Sequence, residues 1–362
     1  MGDDLIGSLL AATRDTDDWT PWLVLGDALT ERDDVRGQLI RVQHRLATEQ
    51  LPAETRSELA DWVVETQATH ESAWGGAVLP EAPPPGLRIG WDRGFVTEAF
   101  VERVADDVIA WLDALQERPL GRGLNHVKLL LTRPSPDLFD RLLSADFARR
   151  VRSWSFSRQA LGPAHARVVA RRLTHARALD LRTNALGDGG MITLAEASFD
   201  ALESLHVEAN GFGSEGLLAL AHARWPSLRA LLLMAVQFSA QEAHALGRAT
   251  YFDQLEVLHL PNSQLRAEGA RILFGVPRPG LRMLGLAWNG LHDAGIDVLD
   301  PERLPGLRRA SLIGNQITTD AALRFVDKPW PALRMVDLWH NPIETRALPT
   351  FHRCAFEVVV DV

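Results

Sequence analysis

Between residues 176 and 343 the hydrophobic positions recur in one frame of about 26 residues. Within each period apolar residues occupy positions 1, 4, 6 and 11, and position 9 is usually Asn. The frame reads Ala176, Leu179, Leu181, Asn184, Leu186, then Leu202, Leu205, Val207, Asn210, Phe212. It continues as Leu228, Leu231, Leu233, Val236, Phe238, then Leu255, Leu258, Leu260, Ser263, Leu265, then Leu281, Leu284, Leu286, Asn289, Leu291. Leu307, Ala310, Leu312, Asn315, Ile317 and Leu333, Val336, Leu338, Asn341, Ile343 close the series. The alternation at positions 4 and 6 predicts a short strand with those side chains inward. Asn at position 9 predicts a turn whose freed backbone groups the side-chain amide satisfies. A bend and a helical pattern follow, as in Gly216-Leu217-Leu218-Ala219-Leu220-Ala221. Each period is therefore a strand–helix unit, and stacking the units buries one continuous core.

The frame L-x-x-L-x-L-x-x-N-x-L resembles the leucine-rich repeat. That resemblance implies an α/β solenoid, a right-handed horseshoe of the ribonuclease-inhibitor type with its parallel strands on the concave side. Two weaker copies, Val151, Trp154, Phe156, Gln159, Leu161 and Leu124, Val127, Leu129, Thr132, extend it upstream to about nine turns. At ~4.8 Å per strand the sheet is on the order of 40 Å wide.

The first 45 residues read as helices, with Leu5, Leu9 and Leu10 and then Trp22, Leu23, Leu25 and Leu29 at helical spacing. Leu9-Leu10-Ala11-Ala12, Asp17-Asp18, Leu23-Val24, Asp27, Leu29, Glu31-Arg32, Asp34, Arg36-Gly37, Ile40-Arg41 and Gln43 resemble the bacterial repeat-companion segment, which precedes repeat arrays in planctomycetes and myxobacteria. Leu25 and Ala28 replace its usual Tyr and Trp. A helix is expected over residues 53–68, short strands over 87–91 and 94–96, and another helix over 104–115. The expected organisation is a helical companion-like domain over 1–75, a connecting and capping segment over 76–120, the repeats over 121–348, and a capping strand within 349–362.

Charge divides the chain. Residues 1–120 carry 10 Lys and Arg against 23 Asp and Glu, while residues 121–362 carry 28 against 24. An overall charge of −9 argues against a generic nucleic-acid binder. One cysteine allows no internal disulfide. No run approaches the roughly 18 apolar residues of a membrane span, and the start, Met1-Gly2-Asp3-Asp4, is acidic where a signal peptide is basic. A soluble, cytoplasmic protein is expected.

Sequence motifs for catalysis are missing: there is no G-x-S-x-G, P-loop, H-E-x-x-H or C-x-x-C. Asp15, Asp17 and Asp18 lack the loop glycine and bidentate Glu of an EF-hand and read as helix caps. Cys354 reads as a small buried side chain near the end of the array. Neither an enzyme nor a cofactor is expected.

What remains is surface. Residues between and just after the inward pair of each strand face the concave side. They include His206, Leu232, Met234, His259, Asn262, Trp288, Ile313, Trp339 and His340, an apolar and aromatic set with the composition of a binding hot spot. This points to a non-catalytic module that recognises a protein partner. One alternative is a regulatory or substrate-recognition subunit of a separately encoded enzyme, docking through the acidic N-terminal part. Another is a polyanion or nucleic-acid site on Arg149, Arg150, Arg152, Arg158, Arg167, Arg171, Arg172, Arg177 and Arg182. Trp154 and Phe156 sit at inward positions and cannot stack on bases, which disfavours that last reading.

Overall fold

The computed structural model describes residues 2–13 and 18–361; Asp15 and Asp17 lie outside them. The chain divides into two compact units, residues 1–131 with 140–155, and residues 132–139 with 156–362.

The first unit opens with four helices, α1 (Gly2–Ala12), α2 (Thr20–Thr30), α3 (Val35–Thr48) and α4 (Ala53–Val78). The last of these runs ten residues past the expected end. Trp22, Leu25 and Leu29 of α2 pack with Ile6, Leu10, Ile40 and Phe95 in one buried cluster. A Cβ on Gly37 would lie 2.5 Å from the Gly26 carbonyl oxygen, so the Arg36-Gly37 pair is where α3 crosses α2 at close range. Asp34 caps α3 by accepting from the Arg36 amide at 3.0 Å. At α2, Asp18 accepts from the Thr20 amide at 3.1 Å. That bond holds its pKa below the usual carboxylate value, while the N-cap position of α2 itself is Trp19, which makes no side-chain cap bond.

Strands β1 (Leu87–Asp92) and β2 (Phe95–Val101) form an antiparallel hairpin. β2 pairs in parallel with β3 (His126–Leu129), and β3 with β4 (Ser153–Ser155). Helix α5 (Asp106–Glu117) connects β2 to β3, and the division between the units falls inside α6 (Pro136–Leu143). The two weaker upstream frames coincide with β3 and β4.

The second unit is an α/β leucine-rich-repeat solenoid. Its strands β5 (Ala178–Asp180), β6 (Ser204–His206), β7 (Ala230–Leu232), β8 (Val257–His259), β9 (Met283–Gly285), β10 (Arg309–Ser311), β11 (Met335–Asp337) and β12 (Glu357–Val359) lie side by side in chain order. All are parallel, and none shifts register. Helices α7 (Pro163–Arg172), α8 (Gly187–Ala195), α9 (Ser214–His222), α10 (Ala240–Gly247), α11 (Arg266–Phe274), α12 (His292–Ile296) and α13 (Thr319–Val326) alternate with them. Positions 4 and 6 of the seven frames are buried from Leu179 to Leu338.

The Asn ladder joins the turns. Asn315 donates to the carbonyls of Leu286 and Leu312 at 2.8 and 2.9 Å, and accepts from the amides of Asn289 and Leu291 at 2.9 and 3.3 Å. Asn184, Asn289 and Asn341 repeat the pattern. Val236 breaks it, and among the described residues Asn210 Oδ1, on a side chain that reaches back to the turn of Asn184, has no partner. The residue before position 9 adopts positive φ at every turn from Arg158 to His340, between 53° and 63°. Helix N-termini are also capped across repeats: Asp188 of α8 accepts from the amides of Gly213 and Gly216 at 2.8 and 2.7 Å.

Candidate functional site

Strand alternation sends positions 4 and 6 to the core and positions 3, 5 and 7 to the opposite, open face of the second unit. Two rows of side chains result. Position 3 gives Val257, Met283, Arg309 and Met335 across β8 to β11, each opposite the next in register. Position 5 gives Leu232, His259, Gly285, Ser311 and Asp337, likewise in register. Between the rows lies a groove of about 340 Å³ whose walls include Leu232, Val257, His259, Met283, Arg309 and Met335.

Gly285 shapes the groove. A Cβ there would come within 1.9 Å of His259 Cδ2, so the imidazole lies across the bare backbone of β9. Burial pushes the His259 pKa down, and among the described residues its Nδ1 has no hydrogen-bond partner. Toward β5 the face turns polar. Asp180 and Arg182 pair at 2.9 Å. Burial lowers the His206 pKa, with Asp180 opposing, and raises that of Glu208.

The nine residues expected to form the partner site divide into three groups. Leu232 and His259 line the groove. His206 belongs to the polar part, its Nε2 3.1 Å from Ser204 Oγ. The others sit along the rim, where Ile313 is half-buried and Met234 and Trp339 are exposed. Asn262, Trp288 and His340 occupy the left-handed position before position 9, so they leave the strand alternation and do not lie on the sheet floor as expected. Trp288 folds over the next turn, where Gly314 leaves the space for its ring. Its centroid is 5.7 Å from that of His340, which is 4.7 Å from that of Trp339. His340 is also tied to Asp361 through its amide at 2.7 Å and its ring at 3.2 Å.

Met283, Met335, Val257 and Arg309 were missed. The signal was present: alternation continues one step upstream of position 4, which places position 3 on the same face as position 5.

The arginine run is not one free patch. Arg149, Arg150 and Arg152 belong to the first unit and the other six to the second. Acids distant in sequence, or outside the run, pair with several: Arg150 with Glu117 at 2.8 Å, Arg149 with Asp146 at 3.6 Å, and Arg177 with Glu203. Arg182 pairs with Asp180 as described. Cys354 is half-buried, its thiol donating to the Thr350 carbonyl, and burial raises its pKa above the ordinary thiol value. Among the described residues no group of three or more His, Cys, Asp or Glu side chains is placed to hold a metal ion. Nor is any described helix long and apolar enough to cross a membrane.

These features give the second unit the architecture of a leucine-rich-repeat solenoid. A family profile described as leucine rich repeat matches residues 173–195 and 202–221. No curated protein matches the chain. Among solved structures, the crystal structure of the Rad7 and Elc1 complex in yeast matches at 13% identity with a TM-score of 0.48, covering 70% of this chain and 72% of that chain.

Proposed function

We propose that the second unit recognises a protein partner through the open face of β7 to β11, with the groove receiving apolar side chains of that partner. One observation carries this reading. Met234, Met283, Trp288 and Trp339 are 37%, 42%, 54% and 46% exposed, and all four lie on or along the rim of one sheet face. Parallel sheets ordinarily have both faces covered, and a contiguous exposed apolar patch marks an interaction site. Methionine adds adaptability, since its unbranched thioether side chain moulds to a partner surface. Arg309 and Asp337 stand within the apolar rows and orient what enters. The reading is one of binding rather than catalysis. If the partner is an enzyme, this chain is its recognition subunit.

The test is affinity capture with the wild type beside a Met283→Glu, Met335→Glu double variant. Both side chains leave the core untouched, so the variant is expected to melt with the wild type. A protein retained at stoichiometric level by the wild type and lost by the variant supports the proposal. Equal retention by both contradicts it.

A further inference from the structure

The first unit contains a second cavity, of about 500 Å³, lined by Trp19, Trp22 and Trp91 together with Asp92, Arg93 and Glu98. Its position follows from the hairpin: Trp91 and Asp92 end β1, Arg93 turns the chain at φ 51°, and Glu98 returns on β2. The size falls within the range of small-ligand sites.

Its chemistry is that of a receptor for an organic cation, and the chain already supplies one example. The Arg93 guanidinium lies 4.4 Å from the ring centroids of both Trp19 and Trp22 and pairs with Asp92. That pair is internally neutral. Glu98 is different. Glu98 is half-buried, no described Lys or Arg pairs with it, and His126 of the same lining lies opposite it in register on β3. Glu98 rests against Gly90, where an added Cβ would lie 3.0 Å from Glu98 Oε2. Counting Asp, Glu, Lys and Arg, the excess charge of the lining is therefore negative and lies on Glu98, which shares the lining with Trp91. A half-buried carboxylate without a counter-ion costs free energy that a bound cation would recover. Burial raises the Asp92 pKa and the neighbouring Glu98 charge adds to that rise, against the opposing pull of Arg93.

We propose that this cavity binds the guanidinium or ammonium head of an organic cation, with Glu98 as counter-ion and Trp91 as the aromatic wall. Aromatic faces attract such cations, more so where water is partly excluded. The head group comes either from a free amine or from a basic side chain of another protein. Both present the same chemistry to Glu98.

Calorimetric titration of the full chain tests this, with agmatine as the free cation and acetyl-Gly-Arg-Gly-amide as the side-chain form. N-propylurea serves as an uncharged control. Saturable one-to-one binding of either cation is expected, with no heat from propylurea. Glu98→Gln should weaken the affinity at least tenfold, as expected for loss of a charge-assisted contact. Trp91→Leu should weaken it about fivefold, and it keeps the test decisive if Glu98→Gln fails to fold. Binding of only one of the two cations supports the proposal and identifies the source. No saturable heat from either up to about 10 mM, equal binding of propylurea, or unchanged affinity in folded variants overturns it.

Discussion

Replacing Asn315 with Ala tests the physical basis of the repeat. The side chain is fully buried and hydrogen-bonds five backbone groups from two adjacent turns, the carbonyls of Leu286, Leu312 and Ile313 and the amides of Asn289 and Leu291. Ile313 keeps its bond from the Trp288 amide, so alanine removes the side-chain partner of the other four. At about 1 kcal/mol for each hydrogen bond lost, the cost is about 4 kcal/mol. Val236→Ala is the control, because Val236 holds the same frame position, is equally buried, and makes no side-chain hydrogen bond. Loss of its two methyl groups costs about 2 kcal/mol, from transfer and the cavity left behind. Urea unfolding followed by circular dichroism should therefore show the Asn315→Ala midpoint falling about twice as far as that of Val236→Ala. An Asn315→Ala loss below about 1 kcal/mol, or no larger than the Val236→Ala loss, refutes the argument that the ladder and not packing alone joins the turns.

Two further outcomes follow from the same geometry. Burial alone would raise the Glu242 pKa, but hydrogen bonds from the Ser214 and Ser239 hydroxyls and the Ser239 amide outweigh it and hold the group at about 2. A carboxyl depressed in the folded state stabilises above its unfolded value and loses that contribution as pH falls through its folded one. Glu242→Gln should thus cost about 1–2 kcal/mol at pH 7, and thermal melts of variant and wild type should converge as pH falls from about 4.5 toward 2. Trp288→Ala combined with Trp339→Ala should change stability by less than about 1 kcal/mol, because both rings are about half exposed; a melting shift beyond that would make the rings part of the fold rather than of a partner site.

The repeat was legible in the sequence because one physical requirement, burial on one side of a short strand, recurs at fixed spacing. Leu179 to Leu338 were therefore placed without long-range information. Asn184 and Asn315 were equally readable, since an amide can both donate and accept at a turn. What failed to show in sequence depends on contacts between distant residues. The pairing of Arg150 with Glu117 spans 33 positions, so a local count of arginines overstated their free charge. Trp288 was placed on the sheet face because a linear pattern does not reveal the left-handed turn that carries its ring over Gly314. Met283 and Met335 were overlooked for a different reason: their frame position is not part of the consensus, although strand alternation alone assigns it. The cavity beside Glu98 needed the hairpin, which brings Trp91 and Glu98 together with Trp19 and Trp22 at the start of α2.

Binding through the open face of β7 to β11 is tested most directly by placing a photoreactive amino acid at position 283 in the groove and, separately, at Glu215 on α9, both exposed positions of the same unit. The account predicts a covalent adduct with one captured protein from position 283 and none from position 215. Adducts from 215 alone, or equal adducts from both, would contradict it.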